Sequence, residues 1–252
     1  MKLIKFVALL ICVSAFLSSS PSADVPQNWY IVKKGNNKPL FPPETQEMDK
    51  LNGIYLDKYS SQEGIKKIYL TFDAGYENGN IEKILDVMKS EDVKGAFFIL
   101  ENLINKNPQL VKRMRDEGHL ICNHTTRHAD LTKMTEEEIL YDLSKLESRY
   151  RSLTGEEMEK IFRFPEGRYS ISTLKLLSDN GYKSVFWSMA YDDWDNSRQM
   201  NTDVAKKKLL STTHEGAILL LHPTSSTNAQ ILGDLIKEWK CQGYSFGSLK
   251  EI

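Results

Sequence analysis

The chain has 252 residues, of which 40% are hydrophobic and 27% charged, so it can bury the core of one large domain. Its 33 basic and 34 acidic side chains give a formal net charge of −1. This balance lacks the excess of basic side chains typical of nucleic-acid-binding proteins, so we expect no nucleic-acid partner.

The first 23 residues have the layout of a secretory signal peptide. Lys2 and Lys5 precede an apolar stretch over 6–17, and the small polar run 18–20 follows it. The apolar stretch is short for a membrane-spanning helix. This layout predicts export across the cytoplasmic membrane. Because no clear cleavage site follows the apolar stretch, retention of the segment as an uncleaved membrane anchor stays open as an alternative.

Residues 24–64 form a proline-bearing N-terminal extension without a sustained hydrophobic period. From 65 to 252, short apolar runs alternate with helical patterns, which predicts one α/β domain, a distorted barrel of about seven parallel strands. The predicted strands cover 67–72, 95–100, 120–123, 161–164, 184–189, 217–221 and 244–248. Thr135 and Glu138 form a capping-box pattern that predicts the start of a long helix.

Reactive side chains follow several of these predicted strands. Asp73, His124, Arg163, Asp193 and His222 each stand at or just beyond the end of an apolar run. The C-terminal ends of parallel barrel strands meet at one end of the barrel, where such folds hold their active sites. We therefore expect an enzyme.

His124 and His128 stand four residues apart, a spacing at which two imidazoles can bind one divalent ion, although such pairs also arise by chance. Asp73 can alternatively be a turn aspartate, and His222 a half-buried histidine bonded to a backbone carbonyl. Together these groups suit metal-assisted hydrolysis, in which one side chain takes a proton from water and another protonates the leaving group.

Arg163 lies between Phe162 and Phe164 in a predicted strand. A buried guanidinium needs a partner, and the Asp73 carboxylate is the natural one. Asp193, next to Trp194, belongs either to a solvated loop or to a site in which its carboxylate orients a catalytic histidine or arginine.

Five segments, in order, resemble the motifs of the polysaccharide deacetylase family, also called NodB-homology or carbohydrate esterase family 4, over 65–252. They are 71–75 (TFDAG), 124–128 (HTTRH), 163–167 (RFPEG), 191–194 (YDDW) and 220–222 (LLH). The resemblance implies that Asp73 is the general base and His222 the general acid. It further implies that Arg163 holds Asp73 and that Asp193 orients this acid–base machinery.

The same resemblance implies that His124 and His128 bind a divalent metal ion, which could be Zn, Mn, Co or Mg. The residues expected to contact substrate are Tyr76, Asn78, Pro165, Arg168 and Trp194. The family's usual third metal ligand, an aspartate, is replaced by Ala74. The segment 75–79 that follows resembles the branch that forms muramic δ-lactam in spore-cortex peptidoglycan and also lacks this aspartate.

The resemblance to this branch implies removal of the acetyl group from peptide-free N-acetylmuramic acid in a peptidoglycan strand. An N-acetylmuramoyl-L-alanine amidase would act upstream, and the chain would work on the cell-wall or spore-cortex side of the membrane. For the lactyl carboxylate we expect a cation, preferably Arg168, with Lys133 or Arg127 as substitutes, because Glu166 stands where this branch tends to carry a basic residue.

Two alternatives stay open. The substrate could be N-acetylglucosamine in peptidoglycan or chitin, or acetylated xylan, because loop shape decides substrate choice. The chain could also be an inactive glycan-binding protein that has lost a metal ligand. The sequence leaves the oligomeric state open.

Overall fold

The computed structural model describes residues 24–34 and 37–252. The predicted signal peptide, residues 1–23, lies outside the described residues. None of the helices within the described part of the chain is both long enough and apolar enough to cross a membrane.

The core of the fold is a curled parallel sheet, which confirms the predicted distorted α/β barrel. In chain order the strands of the main sheet are β4 (Gly53–Ile54), β5 (Lys67–Ala74), β6 (Ala96–Ile99), β7 (Leu120–Asn123), β8 (Ile161–Phe162), β10 (Lys183–Val185), β11 (Ile218–Leu221) and β12 (Ser245–Phe246). Their spatial order is β11-β5-β6-β7-β8-β10-β4, and β12 pairs with the beginning of β5. Among the described residues, four short strands lie outside this sheet: β1 (Gln27–Asn28) pairs with β9 (Arg168–Tyr169), and β2 (Val32–Lys34) pairs with β3 (Asn37–Leu40).

The sheet curls because the chain beyond β10 returns to β11. Met189 forms a parallel bridge with Leu219. The Met189 N–H donates to the Ile218 carbonyl at 3.1 Å, and the Leu220 N–H donates to the Met189 carbonyl at 2.9 Å. The predicted strand 184–189 is therefore only partly regular, since its second half bends toward β11 to close the barrel.

Helices cover the outside of the sheet and connect successive strands. They are α3 (Ile81–Ser90), α4 (Glu101–Lys106), α5 (Pro108–Asp116), α6 (Glu136–Thr154), α7 (Ile171–Asp179), α8 (Thr202–Thr212) and α9 (Ser226–Cys241). The predicted capping box at the start of α6 is present, with the Thr135 hydroxyl accepting from the Glu138 N–H and the Glu138 carboxylate from the Thr135 N–H. Reciprocal capping satisfies two otherwise unpaired donors and fixes where the helix begins.

The N-terminal extension contributes regular structure that its sequence did not predict. It forms α1 (Thr45–Lys50) and α2 (Lys58–Glu63), and its strand β4 joins the edge of the barrel sheet beside β10. These elements are too short to show a hydrophobic period, and tertiary contacts decide them. Asp57 fastens the extension to the barrel, because its carboxylate accepts from the Tyr69 hydroxyl at 2.7 Å and its N–H donates to the Gly216 carbonyl at 2.9 Å.

We expect Gly216→Ala to loosen this attachment. Gly216 has a φ of +75°, and a Cβ there would lie 2.2 Å from the Asp57 carbonyl oxygen. Gly155 is the matched control, since its φ is +78° but its Cβ would meet nothing within 4 Å. The left-handed backbone alone should cost Gly155→Ala about 1 kcal/mol, and the added clash should cost Gly216→Ala about 3 kcal/mol or more. Urea denaturation measures both losses, and equal losses would contradict the proposed contact.

Candidate active site

Strand alternation explains why the reactive side chains meet inside the barrel. In β5, Ile68, Leu70 and Phe72 pack in the cluster beneath the helices, whereas Tyr69 packs with the barrel interior. Successive side chains of a strand point to opposite faces, so Asp73 shares the interior face with Tyr69. By the same alternation, His124, Arg163 and His222 share a face with Cys122, Ile161 and Ile218, respectively. The side chains of these last three residues pack in the barrel interior.

Arg163 is buried with all of its side-chain nitrogens bonded. Its Nη1 donates to the Asp73 carboxylate at 2.8 Å, and its Nη2 donates to the Thr71 hydroxyl at 2.9 Å. Its Nε donates to the Val185 carbonyl at 3.0 Å, and the guanidinium carbon lies 4.1 Å from the centre of the Phe98 ring. Removing one member of such a buried pair leaves an uncompensated charge, typically at a cost of ~3–5 kcal/mol.

The ion pair also sets the charge of Asp73. Burial alone would raise the pKa of the Asp73 carboxyl, but the Arg163 guanidinium, then His124 and His222, outweigh burial and hold this pKa below its usual range. Asp73 is therefore ionised at neutral pH and able to accept a proton.

Asp193 shifts the pKa of His222 in the opposite direction. The Asp193 carboxylate is buried and accepts from His222 Nδ1 at 2.7 Å and from the His222 backbone N–H at 2.7 Å. Burial alone would lower the pKa of His222, but the hydrogen bond and charge of Asp193 outweigh it and raise this pKa. The structure therefore brings together a carboxylate that can accept a proton, Asp73, and an imidazole whose protonated form is favoured, His222.

His124 and His128 are brought together by a tight loop after β7, with their ring centres 5.0 Å apart. His124 Nδ1 lies 2.8 Å from the Arg163 carbonyl oxygen, and since a carbonyl only accepts, Nδ1 carries the proton. His124 Nε2 is buried 3.5 Å from the Asp73 carboxylate and has no hydrogen-bond partner among the residues that the structure describes. Burial lowers the pKa of His124 to about 4, so the imidazole is neutral and Nε2 offers a lone pair.

These observations fit a divalent metal ion held by His124 and His128. Ala74 contributes no donor atom, and its methyl group is buried. Within residues 24–34 and 37–252, no group of three histidine, cysteine or carboxylate side chains is placed to hold a metal. Water or substrate oxygens would therefore have to complete the coordination.

The loop that carries the two histidines is strained. Thr125 has a φ of 74° and His128 a φ of 59°, a region that β-branched residues rarely adopt. Asp142 on α6 holds the loop, because its carboxylate accepts from both the N–H and the hydroxyl of Thr126. The Asn123 side chain further accepts from the Thr125 N–H at 2.9 Å. Strain of this kind persists only where the surroundings enforce it.

The residues predicted to contact substrate differ in their exposure and in their hydrogen bonds. Tyr76 and Trp194 are exposed by 47% and 61%, and the Tyr76 hydroxyl accepts from the Asn196 amide at 2.6 Å, which joins their two loops. Asn78 donates to the Thr224 carbonyl at 2.8 Å, so its amide ties one loop to another. Pro165 is buried.

Of the three cations considered for a substrate carboxylate, two are already paired. Asp130 lies 3.0 Å from Arg168 Nε and 3.2 Å from Lys133 Nζ. Arg127, between the two histidines, is exposed and has no hydrogen bond or ion pair to any described residue. Glu166 is exposed on the loop after β8.

Sequence reasoning missed several residues that support the site. Thr71, Phe98, Asp142, Tyr191 and Asn228 contact the reactive side chains or hold them in place through hydrogen bonds and packing. A buried Asn or Thr carries no pattern that distinguishes it from a core residue. A cavity of about 550 Å³ lies at the opposite end of the barrel, lined by Gly95, His119 and Leu120 among others, away from these groups.

The fold and this arrangement of side chains are those of a polysaccharide deacetylase. The family model described as polysaccharide deacetylase matches residues 60–185. The chain belongs to this family, whose members are hydrolases that act on amide bonds.

Individual relatives extend the match over nearly the whole chain. The peptidoglycan-N-acetylmuramic acid deacetylase PdaA of Bacillus subtilis is 38% identical over 248 residues, which is 96% of this chain and 94% of the relative. The solved PdaA structure aligns with a TM-score of 0.85, over 90% of this chain and 96% of that one. A family 4 carbohydrate esterase from Bacillus anthracis aligns with a TM-score of 0.74 at 37% identity, over 90% and 95% of the two chains. A peptidoglycan-N-acetylglucosamine deacetylase of Bacillus cereus is 30% identical, over 94% of this chain and 84% of the relative.

We expect His124→Ala to weaken zinc binding, because it removes the buried Nε2 that lies beside Asp73 with no hydrogen-bond partner among the described residues. In calorimetric titration with zinc chloride, the wild-type protein should bind one ion and the variant should show at least about tenfold weaker affinity. His119→Ala is the control, since His119 is equally buried but lies at the far end of the barrel. Unchanged zinc affinity in His124→Ala would remove His124 from the metal site.

Proposed function

We propose that this protein removes the acetyl group from N-acetylmuramic acid residues of peptidoglycan whose stem peptide has already been cut away. The freed amine would then close onto the lactyl carboxyl with loss of one water, giving muramic δ-lactam in spore cortex. The observation that carries the hydrolytic part is that Asp73, with its pKa lowered, and His222, with its pKa raised, lie in one site with the neighbouring imidazoles of His124 and His128.

Each described side chain has a distinct part in this hydrolysis. Asp73 takes the proton of the attacking water, and Arg163 holds the carboxylate in place through its 2.8 Å bond. His222 donates the proton at Nε2 to the departing sugar nitrogen, while Asp193 keeps Nδ1 protonated. His124 and His128 are the residues that would hold a divalent ion, which would supply Lewis-acid polarisation when bound. The products are acetate and a free amine.

The proposed substrate rests on the similarity to PdaA and on the Arg127 side chain. The relative named for N-acetylmuramic acid, PdaA, covers nearly the whole chain. N-Acetylmuramic acid differs from N-acetylglucosamine by a lactyl carboxylate, which calls for a cation near the reacting amide. With Arg168 and Lys133 held by Asp130, we assign this role to Arg127.

A second candidate is deacetylation of N-acetylglucosamine. It is favoured by the exposed Glu166 carboxylate, which would repel a lactyl carboxylate, and by the Bacillus cereus relative. An inactive glycan-binding role draws on the missing ligand at Ala74 alone, since the Asp73–Arg163 and His222–Asp193 pairs are both complete.

The proposed reaction also sets where the protein works and what precedes it. Peptidoglycan lies outside the cytoplasmic membrane, which agrees with the predicted export signal over 1–23. A peptide-free muramic acid must first be produced by an amidase that cuts the lactyl–peptide bond. We therefore propose a functional dependence on an N-acetylmuramoyl-L-alanine amidase during sporulation.

The first test is acetate release from two glycans in the presence of a divalent metal. Spore-type strands with peptide-free muramic acid should release acetate, and N-acetylglucosamine oligomers should release little. Product masses that fall by one further water would show that this protein also closes the lactam. Asp73→Asn is the control for chemistry and should reduce turnover by at least about a hundredfold. Acetate from N-acetylglucosamine oligomers alone would replace the proposal with the second candidate.

Arg127→Gln should weaken recognition of the lactyl carboxylate. Because Arg127 has no hydrogen bond or ion pair to a residue that the structure describes, we expect folding to be unaffected and kcat/KM on peptide-free muramic strands to fall about tenfold or more. Arg168→Gln is the matched control, since Arg168 is already paired with Asp130 and should leave this substrate preference unchanged. Equal losses on muramic and N-acetylglucosamine substrates would contradict a role in carboxylate recognition.

A further inference from the structure

Asn228 lies behind the His222–Asp193 pair, on the first turn of α9, and is 1% exposed. Its Nδ2 donates to the Asp193 carboxylate at 2.6 Å and to the His222 backbone carbonyl at 3.0 Å. Both partners can only accept, so the orientation of the Asn228 amide is fixed. Its remaining oxygen accepts from the Tyr191 hydroxyl at 2.5 Å.

The Asn228 amide therefore bonds both members of the His222–Asp193 pair. Asp193 Oδ2 accepts from Asn228 and from the His222 N–H, which leaves Oδ1 to face the imidazole at 2.7 Å. A carboxylate bonded in this way cannot rotate without breaking two hydrogen bonds. The bond from Asn228 to the His222 carbonyl also fixes the backbone from which the imidazole extends.

The beginning of α9 is itself fastened to the loop that carries Asp193. The Ser225 hydroxyl accepts from the Asn228 N–H at 3.1 Å and donates to the Gln199 side chain. Gln199 Nε2 in turn donates to the Asp193 carbonyl at 3.1 Å. These bonds link the backbone of Asn228 to the backbone of Asp193 through Ser225 and Gln199, and so fix the distance between Asn228 and Asp193.

We propose that Asn228, oriented by Tyr191, is a positioning residue that keeps Asp193 aligned on His222 so that His222 retains its proton for the leaving group. The inference rests on the proposed function for its catalytic meaning. The charged groups that face His222 are Asp193, Asp73 and Arg163. Neither Asp73 nor Arg163 contacts Asn228, so changing Asn228 acts on His222 through Asp193 and through the His222 backbone carbonyl.

The test is titration of His222 by NMR in the metal-free protein, together with the pH profile of kcat. In Asn228→Ala the His222 pKa should fall by about one pH unit, because Asp193 is no longer aligned on the imidazole. The alkaline limb of kcat should move down with it, and kcat should fall about tenfold with KM unchanged. Tyr191→Phe keeps the Asn228 donors and should give a smaller shift in the same direction, which provides a second variant if Asn228→Ala folds poorly.

Asn80→Ala is the matched control. Asn80 is also buried, and its amide donates to the Thr224 carbonyl on the loop before α9, but it contacts neither Asp193 nor His222. It should lower the melting temperature without moving the His222 titration. A wild-type His222 titration in both Asn228→Ala and Tyr191→Phe would overturn the proposal. Because this titration needs no substrate, its outcome is independent of which glycan the enzyme deacetylates.

Discussion

The buried ion pair between Arg163 and Asp73 is the interaction on which the site depends. The guanidinium also bonds Thr71 on β5 and the carbonyl of Val185 on β10, and it packs on Phe98 of β6. These contacts join strands on opposite sides of the barrel through its interior. A charge in this position is tolerated because each of the three guanidinium nitrogens donates a hydrogen bond and Asp73 balances the charge, so the same residue organises the interior and holds the Asp73 carboxylate.

In the His222–Asp193 pair a neighbouring charge also shifts a pKa, but in the opposite direction. Asp193 raises the pKa of His222, whereas Arg163 lowers the pKa of Asp73. The Asp73 side chain is largely buried and that of His222 partly buried, and burial lets a neighbouring charge shift a pKa further than it would in solvent. The barrel therefore presents an acid and a base side by side at one pH, which amide hydrolysis requires.

Local backbone strain characterises the loop that carries His124 and His128. Left-handed backbone at Thr125 and His128 is enforced by Asp142 and Asn123, so α6 contributes stability to the geometry of the two imidazoles. Because position 74 is alanine, β5 offers no metal ligand there, and the loop alone would hold the two imidazoles in place. Rigid support of this kind is a physical means of keeping two ligands preorganised.

The sequence by itself determined the barrel's strand pattern, the capping box at Thr135 and the set of candidate side chains at the strand ends, because strand ends and short motifs are local. It also predicted that Arg163 needs a carboxylate partner. Only the tertiary structure decided that β4 joins the sheet, that Asp130 pairs with Arg168 while Arg127 has no partner among the described residues, and that Asn228 supports Asp193. These depend on contacts between distant segments, and the energy of such a contact leaves no periodic signal in either segment.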